Sequence, residues 1–403
     1  FKQKTAYEIS TRDWSSDVCS SDLAARLLML YFDHNATTPL HSAARQAWLE
    51  ATERFIGNPS SLHRVGARAD AALSEAREKL AAFLGCHALD VVFTSGATES
   101  ANTVFHHAAR TLASDTEVWL SAIEHPCLTE AVRGYFPKRH RLIPVTREGQ
   151  VDLDWLARKL KRKQPGLLAV MAVNNETGAI QPWREALALC RAQGVPFFCD
   201  AVQALGKLPA AGLGNCDWVS GSAHKFGGPR GVGFLKCPAK GRVEPLLRGG
   251  AQEEGRRAGT ENVAGVLAML AALTVREAGT QTAKLAARWR DDFERELLNS
   301  LPGTEIIAAD SPRVWNTSLA LMPEVDCRTR WVVKLDKLGV AVSTGSACAS
   351  GKEAPSPVLT AMGYSPAEAA RALRFSAGWE TPAADWNQLL AALSKAHKEL
   401  RSK

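Results

Sequence analysis

A lysine and an aspartate 25 positions apart, Lys225 and Asp200, and a distant cysteine, Cys348, carry the most chemistry in this chain. Lys225 ends the string Ser220-Gly221-Ser222-Ala223-His224-Lys225, and Asp200 closes the apolar run Phe197-Phe198-Cys199. A lysine amine condenses with an aldehyde, and a buried carboxylate keeps a pyridine nitrogen protonated. An amine and an acid that each follow a strand are the minimum needed to hold pyridoxal phosphate, whose ring then acts as an electron sink. Cys348 lies in Ser343-Thr344-Gly345-Ser346-Ala347-Cys348-Ala349-Ser350-Gly351, with Pro355 and Pro357 close behind. No apolar period surrounds it, which predicts an exposed, mobile loop, the setting of a reactive thiol. The plain alternative is an incidental free cysteine.

Other strings add groups that such a site would use. Thr94-Ser95-Gly96-Ala97-Thr98-Glu99-Ser100 follows an apolar run and opens a helical stretch. Small residues there let backbone N–H groups approach a phosphate, helped by the helix dipole, although Ser/Thr followed by Glu is also an ordinary capping pattern. Ser222 and His224 place a hydroxyl and an imidazole beside Lys225, and Phe226-Gly227-Gly228-Pro229-Arg230-Gly231 then forces a tight loop. No dinucleotide fingerprint opens a helix here. Asp200 needs a cationic partner if buried, or caps the next helix if not. His125 offers a ring to stack or a proton shuttle, against a structural role. Asn175 offers an amide for a carboxylate or ring hydroxyl, against a turn. Arg374, inside the apolar run Leu373-Arg374-Phe375, suits bidentate capture of a carboxylate, against a buried salt bridge.

These residues need a frame to bring them together. Short apolar runs recur at 91–93, 118–120, 167–173, 195–199, 218–219 and 232–235, separated by Ala/Leu/Arg/Glu-rich stretches of helical spacing such as 67–84 and 184–193. Alternating strands and helices predict an α/β fold with a mainly parallel sheet covered on both faces. Ligands of such sheets sit at the carboxyl ends of the strands, where Thr98, His125, Asn175 and Asp200 fall. From about residue 275 the texture changes to a long charged helix, 284–298, then scattered apolar runs and a closing helix at 384–400. The expected division is a large domain over 41–274 and a smaller α+β domain from 29–40 and 275–403.

Residues 1–28 read unlike the rest. Their serine- and aspartate-rich stretch lacks periodicity and is no signal peptide. It resembles a translated sequencing adapter, so the expectation is a non-native leader with Met29 as the start, the alternative being a disordered extension.

Bulk composition excludes several classes. With 46% apolar and 23% charged residues the chain is of ordinary globular type, and no apolar run reaches the roughly 18–20 residues that span a bilayer. The net charge of +7 is mild. Its densest cluster, Arg158-Lys159-Leu160-Lys161-Arg162-Lys163, reads as a solvated helix face rather than a dock for an acidic partner or a tRNA. Nine cysteines show no C-x-x-C pair and no metal-ligand spacing, which points to a reducing cytoplasm, mostly buried thiols and no resident metal.

Taken together, the strings resemble the cysteine desulfurases of the class V aminotransferase group, among the fold-type I pyridoxal-phosphate enzymes. The resemblance runs from Tyr31 to about Gly378. It rests on Tyr31-Phe32-Asp33-His34-Asn35-Ala36-Thr37-Thr38-Pro39, Gly57-Asn58-Pro59-Ser60-Ser61-Leu62-His63, Ser95-Gly96-Ala97-Thr98-Glu99, Val173-Asn174-Asn175-Glu176-Thr177-Gly178, Asp200-Ala201-Val202-Gln203, Ser222-Ala223-His224-Lys225, Gly259-Thr260-Glu261-Asn262 and Gly345-Ser346-Ala347-Cys348. It implies a seven-stranded sheet in the large domain and a homodimer. Lys225 would carry the cofactor and move protons. Asp200 would pair with the pyridine nitrogen, Gln203 with the ring hydroxyl, and His125 would stack on the ring and assist acid–base steps. Ala97, Thr98, Ser222 and His224 would bind the phosphate, with Thr260 reaching in from the second subunit. Asn175 and Arg374 would hold the substrate carboxylate, with Asn35 close by. Cys348 would attack the sulfur of L-cysteine, release alanine and keep the sulfur as a persulfide. The long loop around it resembles desulfurases that feed iron–sulfur assembly, so the implied acceptor is a cluster scaffold or a tRNA-thiolation relay. Cys348 would touch a metal only in passing, on a nascent cluster.

The chain departs from the usual pattern at Ala251, at Ala258 and at Trp379, where glycine, serine and arginine are common. None of these is a proposed cofactor or substrate contact. The rival readings are a selenocysteine lyase or cysteine-sulfinate desulfinase on the same scaffold, a true aminotransferase, and a non-catalytic partner-binding scaffold.

Overall fold

The computed structural model describes residues 29–238, 243–279, 283–325, 328–344 and 355–401. The expectations for residues 1–28 and for Cys348 lie outside the described residues.

The first strand, β1 (Leu30–Tyr31), pairs in parallel with a late one. Seven strands then build the central sheet: β2 (Val91–Thr94), β3 (Val118–Ser121), β4 (His140–Ile143), β5 (Leu167–Ala169), β6 (Phe197–Asp200), β7 (Trp218–Ser222) and β8 (Gly233–Lys236). Their spatial order is β2-β8-β7-β6-β5-β3-β4, and only the pairings of β8 are antiparallel. This is the mainly parallel sheet that the alternating runs predict.

The interior strands are buried on both faces, and successive residues feed opposite cores. Trp119, Leu168, Phe197, Cys199 and Val219 pack on one side, whereas Val118, Leu120, Leu167, Phe198 and Trp218 pack on the other. A strand covered twice must be apolar throughout, which is why these segments read as continuous runs. The edge strand β4, His-Arg-Leu-Ile, buries only Ile143 fully. The apolar runs read from the sequence do not include this strand. An edge with one covered face tolerates basic residues.

Helices cover both faces. The helix Arg64–Leu84 buries Ala69, Ala72, Leu73, Ala76, Leu80 and Leu84, a stripe of i, i+3 and i+4 spacing, and ends at Gly85 in the left-handed conformation that glycine adopts without strain.

The later strands form separate small sheets. β9 (Glu305–Ile306), β10 (Thr317–Leu321) and β12 (Ala372–Ser376) are antiparallel in the order β12-β10-β9, while β11 (Val340–Ala341) takes β1 as partner. A core of their own gathers Phe32, Phe293, Trp331, Phe375, Trp386 and Leu389. Phe293 meets Trp386 at a tilt with ring centroids 4.9 Å apart and Phe375 edge-to-face at 5.5 Å. Residue 275 lies inside the continuous helix Val263–Ala278. Among the described residues no single helix is long and apolar enough to cross a membrane.

Candidate active site

Strands β2, β3, β5, β6 and β7 point the same way, so the segments after their carboxyl ends converge on one edge of the sheet. A cavity of about 500 Å³ opens there. Asn35, Ala97, Thr98, His125, Asn175, Asp200, Gln203, Ser222, His224, Lys225 and Arg374 all line it. Of the remaining sequence candidates, Thr260 is exposed and absent from this lining, and Cys348 lies outside the described residues.

Asp200 ends β6, and β7 pairs beside it, with Asp200 opposite Ser220 and Lys225 five residues further on. Asp200 is buried and accepts from Val202 N at 3.0 Å and Ser220 Oγ at 3.2 Å. Burial raises its pKa, while those hydrogen bonds and the Lys225 charge pull the other way. A buried carboxylate gains most from a further cation, which a protonated ring nitrogen supplies. Lys225 Nζ donates to the main-chain carbonyls of Asn35 at 2.6 Å and Ala36 at 2.8 Å.

The phosphate-cradle candidate forms where three glycines approach. Gly233 pairs with both Thr94 and Ser222, and a Cβ on it would meet Gly221 O at 2.5 Å and Gly96 Cα at 2.6 Å. Gly96 itself has φ 150°, a conformation open to glycine, and precedes the helix Ala97–Thr111. Free N–H groups at this helix start face the same edge as the Ser222 hydroxyl and the His224 ring. Glu99 closes the turn by accepting from Ser95 N at 2.8 Å and from Arg257 Nε at 2.9 Å.

Both imidazoles of the site are neutral at pH 7. Burial first, then the Lys225 charge, lowers His125 and His224 to about 4, with Arg230 adding to the effect on His224. His125 caps the helix Pro126–Tyr135 by accepting from Cys127 N at 3.1 Å. His224 shares a hydrogen bond of 3.2 Å with Thr37 Oγ1.

At the other end of the cavity Arg374 Nη1 donates to Asn175 O at 3.0 Å and Nη2 to Asp33 Oδ1 at 2.7 Å. The ion pair and the cavity position are therefore both realised, because the guanidinium has donors enough for both. The Asn35 side chain is fully occupied: Nδ2 donates to Asn175 O and Thr317 Oγ1, and Oδ1 accepts from Lys207 and Asn316.

Lys207 is one residue that sequence reasoning missed. It is buried and reaches both Gln203 and Asn35. Its signal was available: one lysine four positions after Gln203, in the otherwise apolar run Ala201-Val202-Gln203-Ala204-Leu205-Gly206-Lys207-Leu208. Glu176, which follows Asn175 and lines the cavity, was missed as well.

The donor set fits pyridoxal phosphate: a buried acid, an amine one strand over, a glycine-lined helix start with hydroxyl and imidazole, and a guanidinium opposite. Comparison with known proteins agrees. The model of the family "Aminotransferase class-V" matches residues 30–389. A cysteine desulfurase of Klebsiella pneumoniae is 36% identical over 93% of this chain and 94% of its own length. The NifS-like protein of Rickettsia africae superposes with a TM-score of 0.82 at 27% identity, covering 92% of this chain and 99% of that one. A structure described as "SspA in complex with cysteine" superposes with a TM-score of 0.74 at 27% identity, covering 86% and 98%. The chain belongs to the class V aminotransferase family, whose members are fold-type I pyridoxal-phosphate proteins. Within that family it groups with the cysteine desulfurases.

Proposed function

We propose that this cavity holds pyridoxal phosphate and converts L-cysteine to L-alanine, leaving the sulfur on Cys348 as a persulfide. The observation that carries the reading is that Asp200, at the end of β6, and Lys225, three residues past the end of the neighbouring parallel strand β7, open into one cavity with His125, Asn175 and Arg374. When bound, the cofactor supplies an aldehyde for an amine and an electron sink for the carbon beside it. Asp200 would keep the ring nitrogen charged, and Gln203 would serve the ring hydroxyl. The N–H groups from Ala97 and Thr98, with Ser222 and His224, would take the phosphate. A neutral His125 would offer its ring to the cofactor without a competing charge. Arg374 and Asn175 take the substrate carboxylate and so fix which end of cysteine faces Lys225, whose amine moves the proton of the substrate Cα. The Cys348 thiolate then attacks the substrate sulfur. An S–S bond forms as the C–S bond breaks, the carbon keeps the electron pair, and protonation yields alanine.

The chain is further proposed to act as a cytoplasmic homodimer with the large domain at 41–274. Leu49, Ile56, Leu62 and Leu89 stand out in solvent on one stretch of the chain, with Leu62 fully exposed. Thr260 of a second copy is proposed to reach the phosphate, as the family resemblance implies. An iron–sulfur scaffold or a tRNA-thiolation relay fits as sulfur acceptor.

The test is alanine and sulfide release from L-cysteine under a reductant, on the parent protein and on Cys348→Ala with cofactor retained. Equal yields of both products from the parent and neither from the variant support the reading. Undiminished turnover by the variant refutes it in favour of a lyase.

A further inference from the structure

Lys207 has no counterpart in the chemistry above, yet it lies directly behind the cavity wall. Its residue is only 2% exposed, and its Nζ donates to Gln203 Oε1 at 2.5 Å and to Asn35 Oδ1 at 2.8 Å. Both acceptors are neutral amides. The charged groups acting on it, Lys225 and Arg374, are cations, so among the described residues no anion accounts for burying an amine here. An ammonium would carry three N–H donors to these two acceptors, whereas a neutral amine carries two. Burial and the two cations push the amine well below its usual pKa, in agreement with that count.

The consequence falls on Gln203. An amide side chain can present its oxygen or its nitrogen to the cavity. Here Gln203 Nε2 donates to Asn35 O at 3.0 Å while Oε1 accepts from Lys207. The two ends are pinned by partners of opposite kind, which fixes Nε2, with its second hydrogen, as the group available to a ligand. Asn35 O also accepts from Lys225 Nζ at 2.6 Å, so the same carbonyl joins the two lysines' surroundings.

We propose that Lys207 is a positioning residue, which holds the Gln203 amide with its nitrogen as donor to the ring oxygen of the bound cofactor. The proposal rests on the reading of the cavity as a pyridoxal-phosphate site. A fixed donor favours the ionised ring oxygen; a loosened one does not.

The test is a pH titration of the bound cofactor's visible absorption band in the full-length holoprotein, compared among the parent, Lys207→Met, Gln203→Met and the double variant. Lys207→Met removes the donor at nearly constant volume. The expected result is an upward shift of the titration midpoint by about 0.5–1 pH unit, the worth of one neutral hydrogen bond, in each single variant. The double variant is expected to shift no further than Gln203→Met, because Lys207 acts through that residue. A Lys207→Met midpoint equal to the parent's, or a full additional shift on the Gln203→Met background, overturns the role. Should Lys207→Met fail to fold, Lys207→Gln keeps one donor and is expected to shift less than Gln203→Met; an equal or larger shift overturns the proposal. A parent protein with no visible band overturns the cofactor reading itself, and the proposal with it.

Discussion

Ser356 Oγ donates to Glu176 Oε2 at 2.6 Å, and both residues are buried. Ser356 also accepts from Leu359 N at 3.2 Å and so caps the helix Pro357–Ala361. The helix that follows residues 345–354 is thereby tied to the turn carrying Asn175. That turn is held in its own right, because Asn174 Oδ1 accepts from the N–H groups of Glu176 and Thr177.

Ser356→Ala removes a helix cap and one donor to a buried carboxylate. The expected cost is about 1–3 kcal/mol, read as a lower midpoint in urea unfolding of the apoprotein. A change below about 0.5 kcal/mol, the range of neutral surface substitutions, would contradict the coupling.

Acid lowers stability through the buried histidines. Burial above all holds His34 at about 4 against an ordinary 6.5, with Arg276 adding to the effect and Glu380 opposing. Its folded pKa lies below its unfolded one, so the unfolded chain binds the proton more readily. Stability is then full above pH 6.5 and falls as pH drops toward 4. His125 and His224 act in the same direction. His34→Phe keeps a ring beside Gly378, where the imidazole packs closely, and removes the titration. The apoprotein's unfolding free energy between pH 6.5 and 4 is expected to lose up to about 1.4 kcal/mol per pH unit of slope in this variant. An unchanged slope would place the His34 imidazole in a protonated state.

Asp200→Asn keeps the size of the side chain and an oxygen to accept from Val202 N but removes the negative charge. Hydrogen bonds to charged groups are worth about 1.5–3 kcal/mol, so cofactor affinity is expected to fall about ten- to hundredfold in an absorbance titration of apoprotein. Parent-like affinity in a folded variant would show that Asp200 faces no cation.

Strands β3, β6, β7 and β8 were legible because their residues are covered on both sides, which leaves an unbroken apolar signature. β4 escaped because an edge strand need satisfy only one face. The site was legible for a related reason: sheet topology places whatever follows each parallel strand at one edge, so Asp200, His125 and Asn175 needed no contact information. Lys207 was only partly legible: the apolar run around it marked it as out of place, but its partner Asn35 is 172 positions away in sequence, so its role could not be read locally. The boundary drawn at residue 275 was a change of composition, and the helix Val263–Ala278 runs through it because its apolar side remains in the large core.

The central claim concerns which amine carries the cofactor: Lys225 lines the cavity, whereas Lys207 is buried behind its wall. Borohydride reduction of the holoprotein followed by peptide mapping decides it. The account predicts a single phosphopyridoxyl adduct on the peptide containing Lys225, with Lys207 unmodified. An adduct on Lys207, or none on a protein saturated with pyridoxal phosphate, would contradict it.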